Sequence, residues 1–309
     1  MQNFKVESVN ISEQKGTVKT PVGSIEIDLN GVVNDAHAGN WHRQVSLMMV
    51  PSLENFTKRT GQQINAGDFA ENILVSGFDL NQAAVLDRFV IGEVELEVTQ
   101  IGKKCHGGGC AIFQAVGECA MPKEGIFTRV IKSGRISAGD SGIYLPRPLK
   151  TAVITLSDRA SRGEYADLSG PAVTDAVTSF FSGKRWHLEV ENILMPDNLA
   201  EFSTLLKKLV ADKTDIILST GSTGIGTRDI AFEGVVALNP KYLPGIMDHI
   251  RLKYGALNPA ALTSRSVAAV ADKSLIFTLP GSVKAVKEYT AEILPLTEHL
   301  IAMLHDIGH

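Results

Sequence analysis

Thr151-Ala152-Val153-Ile154-Thr155-Leu156 is a short, largely apolar run, and it breaks at once into Ser157-Asp158-Arg159-Ala160-Ser161-Arg162-Gly163. A run this short, with no polar residue on every second position, reads as a strand buried on both faces. The rhythm repeats downstream. A helical stretch follows around 171–181, a strand near 187–194, a helix from 198 to 210 and a buried strand at Asp215-Ile216-Ile217-Leu218-Ser219. A last strand, 274–279, leads into a long helix over about 283–304. Strand alternating with helix predicts a three-layer α/β domain with a mostly parallel sheet, over residues 150–309.

Upstream the grammar changes. Residues 22–29 alternate in their latter part and reach the turn signal Asn30-Gly31. Glu93-Val94-Glu95-Leu96-Glu97-Val98 puts charge on one face and apolar side chains on the other, as a half-buried strand does. Glycines recur and helices are few, so residues 1–146 read as a β-rich, curled, mostly antiparallel sheet. The joint is Tyr144-Leu145-Pro146-Arg147-Pro148-Leu149-Lys150, where two prolines one residue apart stiffen the backbone.

The bulk numbers narrow the function. The chain has 309 residues, 44% of them hydrophobic, which suffices for two cores. Its net charge of −4 divides evenly about Leu149, so neither half carries the basic excess of a nucleic-acid binder. An anionic ligand must be held by local groups. Three cysteines, Cys105, Cys110 and Cys119, argue against a disulfide framework. The first residues lack a secretory pattern, and no apolar run reaches the ~18 residues of a membrane helix. The expectation is a soluble, cytoplasmic protein.

In a doubly wound sheet, ligands sit beyond the carboxyl ends of the strands. Four strand exits here carry turn residues with hydroxyl or charged groups: 157–167, Met195-Pro196-Asp197-Asn198, Thr220-Gly221-Ser222-Thr223-Gly224-Ile225-Gly226-Thr227-Arg228-Asp229, and Pro280-Gly281-Ser282. The third is the most informative. Its glycines let backbone N–H groups approach an anion, and Ser222 and Thr223 add hydroxyls. No Gly-Lys-Ser/Thr closes it, so it is not a Walker loop. The alternatives are plain: the loop is a simple turn, Asp229 and Asp197 are helix caps, and Asp158 and Asp167 are ordinary loop carboxylates.

Taken together, these loops resemble the MoaB/Mog-like molybdopterin-binding domains, from about Lys150 to the C-terminus. The resemblance rests on Leu156–Ser161 with Gly163 and Asp167, Pro196-Asp197, Thr220–Gly224 with Arg228-Asp229, Glu233, Pro244-Gly245 and Leu279–Ser282. One position departs: Ser222 stands where the family has the second of two adjacent glycines. If that position needs φ > 0, serine costs about 1 kcal/mol. The resemblance implies that molybdopterin and ATP are substrates, that Mg²⁺ assists, and that AMP is transferred to the pterin's terminal phosphate. Asp197 and Asp229 match the two catalytic acids and are assigned to Mg²⁺ or to placing the phosphates. Ser157, Asp158, Thr220, Gly221, Ser222, Thr223, Gly224 and Ser282 are the expected ligand contacts. Arg228 neutralises phosphate or is simply solvated. A homotrimer or larger assembly and a molybdenum insertion protein as partner are also implied. The alternative is a non-catalytic molybdopterin or cofactor carrier, which Ser222 would favour.

The first half carries Cys105-His106-Gly107-Gly108-Gly109-Cys110, with Cys119 beyond. Three readings stay open: a zinc site, small buried cysteines, or a reactive thiolate at Cys105 whose pKa Lys103, Lys104 and His106 lower. Residues from about Lys5 to Tyr144 are similar to the MOSC domain found at the C-terminus of molybdenum cofactor sulfurases. The matching stretches are 31–39, Gln44–Leu47, Gly67-Asp68-Phe69-Ala70-Glu71-Asn72, and Gly125-Ile126-Phe127 through Gly139-Asp140. That resemblance implies a β-rich barrel, binding of the molybdenum cofactor, and contact of Cys105 with its sulfur or metal. His37 and His42 are candidates to line the same pocket.

Overall fold

The computed structural model describes residues 1–103 and 120–307. Cys105, His106, Cys110 and Cys119 lie outside them. The chain divides into two compact units, Met1–Arg147 with the chain end from Asp306, and Pro148–His305.

In the first unit, seven strands close into a barrel. The order is Ser141–Leu145, Arg88–Ile91, Val94–Ile101, Ile126–Lys132, Val45–Met49, Ile73–Ser76 and Gln2–Ile11, which pairs back to Ser141–Leu145. All these pairings are antiparallel except that of Val45–Met49 with Ile73–Ser76. Alternating side chains fill the interior with Phe4, Val6, Leu47, Ile73, Phe89, Ile91, Leu96 and Val98. The Asn30-Gly31 turn joins Ser24–Asp28 to Gly31–Val32 as expected. The charged face of 93–98 needs correction at one place: Glu97 is buried. Arg129 donates to its Oε1 at 2.6 and 3.0 Å, and Arg88 to its Oε2 at 3.2 and 3.3 Å. The two guanidinium groups supply the solvation that burial removes.

The motif 67–72 folds into a buried polar knot against the barrel. Asn72 accepts from Ser46 N–H and Oγ and donates to Asp35 Oδ2 at 3.2 Å. Lys19 and Asp35 form an ion pair whose side chains are fully buried. Burial opposes ionisation of Asp35, but hydrogen bonds from His37 and Lys19 hold its carboxyl well below the usual range. Glu71 Oε1 accepts from Gly67 N–H at 2.6 Å, while Oε2 has no hydrogen-bond partner among the described residues. Burial pushes this carboxyl up to about 7.

In the second unit, six strands run in the order His187–Met195, Pro148–Leu156, Ile216–Thr220, Ser274–Leu279, Ala268–Ala271, Lys241–Tyr242. The first four pair in parallel, and the last two pairings, of Ser274–Leu279 with Ala268–Ala271 and of Ala268–Ala271 with Lys241–Tyr242, are antiparallel. One face packs Ala152, Ile154 and Leu156 against Phe202, Leu206 and Leu209 of helix Leu199–Ala211 and Ala231 and Val235 of helix Ala231–Val236. Helices Ser169–Phe181 and Val283–Leu304 pack on each other and on the strands Pro148–Leu156 and Ser274–Leu279. The apolar core strand at the centre has polar edges. His187–Met195, an edge strand, exposes Glu189 and Glu191, and the opposite edge is only two residues long. No helix among the described residues is long and apolar enough to cross a membrane.

Glu71 makes a pH-dependent contribution with a definite sign. Its folded pKa lies above the ordinary glutamate value of 4.5, so the folded protein binds the proton more tightly than the unfolded chain. Stability therefore falls as pH rises from about 4.5 to about 7 and is level above that, by as much as about 3 kcal/mol. Glu71→Gln should flatten this decline. The gap in unfolding midpoint between variant and wild type should widen from pH 5 to pH 7.5 in the variant's favour, and a constant gap would refute the assignment.

Candidate functional site

Three parallel strands end together. Thr155 pairs with Thr220, and Thr220 with Leu279, so their following loops leave the sheet at one level. Between these exits lies a cleft of about 560 Å³, within the range of small-molecule sites. Its wall includes Ser157, Gly221, Ser222, Thr223, Gly224 and Asp229, six of the residues expected from sequence. Tyr165, Asp167, Leu168 and Val283 also line it, residues that the loop patterns do not mark as ligand contacts.

The loop after Ile216–Thr220 is shaped by contacts that side chains would block. Gly221 has φ +96°, and a Cβ there would stand 2.3 Å from Leu156 O. A Cβ on Gly224 would stand 2.6 Å from Asp229 Oδ2. The loop thus closes over the Asp229 carboxylate, which accepts from Gly226 N–H at 2.8 Å. Ser222 has φ +56°, so the departure from a glycine falls at a left-handed residue. Its side chain compensates: Oγ donates to Arg228 O at 2.9 Å and accepts from Ile230 N–H at 2.8 Å.

The carboxylates separate into distinct roles. Asp229 is not a cap, because the next helix starts at Ala231 with Ile230 at its N-cap. Nor is Asp197: the neighbouring Asn198 caps helix Leu199–Ala211, accepting from Ala200 and Glu201 N–H. Asp197 and Asp158 instead bond reciprocally. Asp158 N–H donates to Asp197 Oδ2 at 3.1 Å, and Asp197 N–H donates to Asp158 Oδ1 at 3.2 Å. Arg228 forms an ion pair with Asp158. Asp197 Oδ1 is buried without a hydrogen-bond partner among the described residues. Asp167 is structural, its Oδ1 accepting from Ser169 N–H and Oγ and from Gly170 N–H, with Thr155 Oγ1 donating to Oδ2.

Not every expected contact lines the cleft. Thr220 is fully buried and donates to Pro280 O at 3.0 Å. Ser282 caps helix Val283–Leu304, accepting from Ala285 N–H, and borders a neighbouring recess of about 290 Å³ that shares Thr223 and Gly224 with the cleft. Asp158 and Asp197 lie beside the cleft rather than on its wall. Ser157 Oγ caps the turn of helix at Asp158–Ser161 and sits 2.8 Å from Tyr165 Oη, a partner that periodicity cannot reveal because it lies in the loop. In the first unit, His37 lies beside the Lys19–Asp35 pair, and His42 Nδ1 is buried without a partner among the described residues.

A mostly parallel sheet with a polar cleft at its strand exits, walled in part by glycine backbone, is the arrangement in which α/β proteins place their ligand sites. Comparison with known proteins makes this specific. Residues 152–299 match the family model described as "Probable molybdopterin binding domain", and residues 34–141 match that of the MOSC domain. The second half is 32% identical over 153 residues to a molybdopterin adenylyltransferase of Helicobacter pylori, covering 49% of this chain and 85% of that protein. It is 33% identical over 141 residues to the molybdopterin adenylyltransferase of Escherichia coli, covering 45% of this chain and 71% of that one. Of gephyrin from Dictyostelium discoideum it covers 22%, at 31% identity. A molybdenum cofactor biosynthesis bifunctional protein of Chlorobaculum tepidum is 25% identical over 244 residues, 74% of this chain and 75% of its own. The chain belongs to the molybdopterin-binding-domain family of molybdenum cofactor biosynthesis proteins, with a MOSC domain preceding that domain.

The cleft depends on the absence of a side chain at 221. Gly221→Ala should destabilise the protein by at least about 2–3 kcal/mol, from steric overlap with Leu156 O and the strained φ. Urea unfolding measures this, and an unchanged midpoint would show that the two strand exits do not touch.

Proposed function

We propose that the second unit transfers AMP from ATP to the terminal phosphate of molybdopterin. The observation that carries this reading is the convergence of the Gly221–Gly224 loop and Asp229 on one polar cleft at the strand exits. A terminal-phosphate oxygen of molybdopterin attacks the α-phosphorus of ATP. The bond from that phosphorus to the bridging oxygen of the β-phosphate breaks, and pyrophosphate leaves. The nucleophile, with a second pKa near 6, is already largely ionised at neutral pH, so no strong base is required. Catalysis reduces to positioning and charge neutralisation.

Backbone N–H groups of the Gly221–Gly224 loop, with the Thr223 hydroxyl, would hold phosphate oxygens. Among the described residues, no group of three or more His, Cys, Asp or Glu side chains is arranged to hold a metal. Mg²⁺ suits such a place nonetheless, since it is bound through one or two carboxylates together with substrate phosphates and water. The unpartnered Oδ1 of Asp197 is a hard oxygen donor of the right kind. Asp197 and Asp229 are the residues that would hold the ion, whose chemistry is to neutralise charge on the phosphates. Ser222, on which a non-catalytic carrier would rest, is accommodated by its own hydrogen bonds, which favours the enzyme. The MOSC unit would bind or carry the finished cofactor, with Cys105 on its sulfur or metal, and tethering would raise the local concentration of a handed-on product. A molybdenum insertion protein is the expected recipient, and a trimer or larger the expected assembly.

Incubation with molybdopterin, ATP and Mg²⁺ should yield adenylylated pterin and pyrophosphate. Asp229→Asn should retain molybdopterin binding and lose at least about a hundredfold in rate. A variant that turns over at the wild-type rate removes Asp229 from the mechanism, and a wild-type protein neither producing adenylylated pterin nor stabilised by ATP with Mg²⁺ overturns the enzyme reading.

A further inference from the structure

We infer that Ser222 is a positioning residue: its hydroxyl fastens the two peptide groups that flank Asp229 and so sets the direction of that carboxylate. The inference rests on the adenylyl-transfer reading for its kinetic consequence, and on geometry alone for the strut itself. A serine hydroxyl has one hydrogen to donate. At Ser222 it is committed to Arg228 O at 2.9 Å, and the same oxygen accepts from Ile230 N–H at 2.8 Å. Residue 229 is the one residue between them. Ser222 O also accepts from Ala231 N–H at 3.0 Å. Four consecutive residues, 228–231, are thus tied or bracketed by one residue six or more positions earlier. Since the hydroxyl hydrogen is used inside the loop, the side chain of Ser222 is not a donor for phosphate in this state; its contribution to a ligand is made through Asp229.

Glycine at 222 would adopt φ +56° freely but leave Arg228 O and Ile230 N–H without this partner. Serine accepts left-handed strain, which glycine would avoid, and returns two hydrogen bonds that hold the loop. The tie extends further. Arg228, whose carbonyl Ser222 binds, forms the ion pair with Asp158, and Asp158 shares reciprocal hydrogen bonds with Asp197. The Arg228–Asp158 pair therefore links the loop bearing Asp229 to the loop bearing Asp197, and the Ser222 hydroxyl holds the Arg228 peptide from which that pair extends.

The test uses full-length Ser222→Ala and Ser222→Gly. The first keeps the backbone strain and removes the hydroxyl; the second removes both. If the hydroxyl positions Asp229, Ser222→Ala loses about tenfold or more in kcat, with the KM values for ATP and molybdopterin within about twofold, while Ser222→Gly, which restores the family's residue and relieves the strain, loses less. In both, the amide of Ile230 exchanges with solvent faster than in wild type, as read by NMR or mass spectrometry. A wild-type kcat in Ser222→Ala overturns the inference. So does a rise in KM with kcat unchanged, which would make Ser222 a direct substrate contact. An Ile230 amide that exchanges at the same rate in wild type and variants overturns the strut. Should wild-type protein fail to adenylylate molybdopterin, the proposed function falls while the amide measurement still decides whether the strut exists.

Discussion

The second unit is organised by one close approach, Gly221 against the carbonyl of Leu156. Parallel pairing brings Thr155, Thr220 and Leu279 into register, but register alone would leave three loops crowding one another with side chains. Because residue 221 has none, the chain leaves the middle strand with φ +96° and slides over the end of its neighbour. The space released above the sheet is the cleft. Its other walls follow from that turn: Thr223 sinks inward, Gly224 folds over the Asp229 carboxylate, and Ser222 is turned to face Arg228 and Ile230. The site is a backbone construction with a few side chains fastened to it.

Most of this unit was legible in the residues, for a reason that also explains the omissions. Strands buried on both faces must be nearly all apolar, so 151–156, 215–219 and 274–279 stand out, and long amphipathic helices such as Val283–Leu304 declare their period. The antiparallel margin did not stand out. Ala268-Ala269-Val270-Ala271 is short and small, Lys241-Tyr242 is two residues, and helix Pro244–Gly255 has no strong apolar stripe. Caps were ambiguous for another reason: Asp197 and Asn198 are adjacent and both can accept from a helix N-terminus, and only the backbone decides which does. The pairing of Asp158 with Asp197, 39 residues apart, belongs to tertiary structure, and no local pattern carries it.

In the barrel unit the limits of legibility are different. Alternation revealed the strands, but it assigned Glu97 to water, where two arginines from neighbouring strands instead enclose it. The motif Gly67–Asn72 was visible as a resemblance, and its physical content emerged only with the fold. It carries Asn72 and Glu71 into a buried polar knot that also holds Lys19, Asp35 and Ser46. Groups of this kind are costly to bury and need each other's hydrogen bonds. They come from segments as far apart as Asn10, whose carbonyl accepts from Asn72, and Asn72 itself, 62 residues on, so the knot forms only when strands Gln2–Ile11, Val45–Met49 and Ile73–Ser76 have come together.

The edges of the second sheet bear on how copies of this chain can meet. Open backbone donors and acceptors along a sheet margin invite another strand to add itself. At one margin Glu189 and Glu191 project from His187–Met195, so a second copy laid alongside would set carboxylates against carboxylates; at the other, two residues offer too short a template. Growth by strand addition is thus discouraged at both ends.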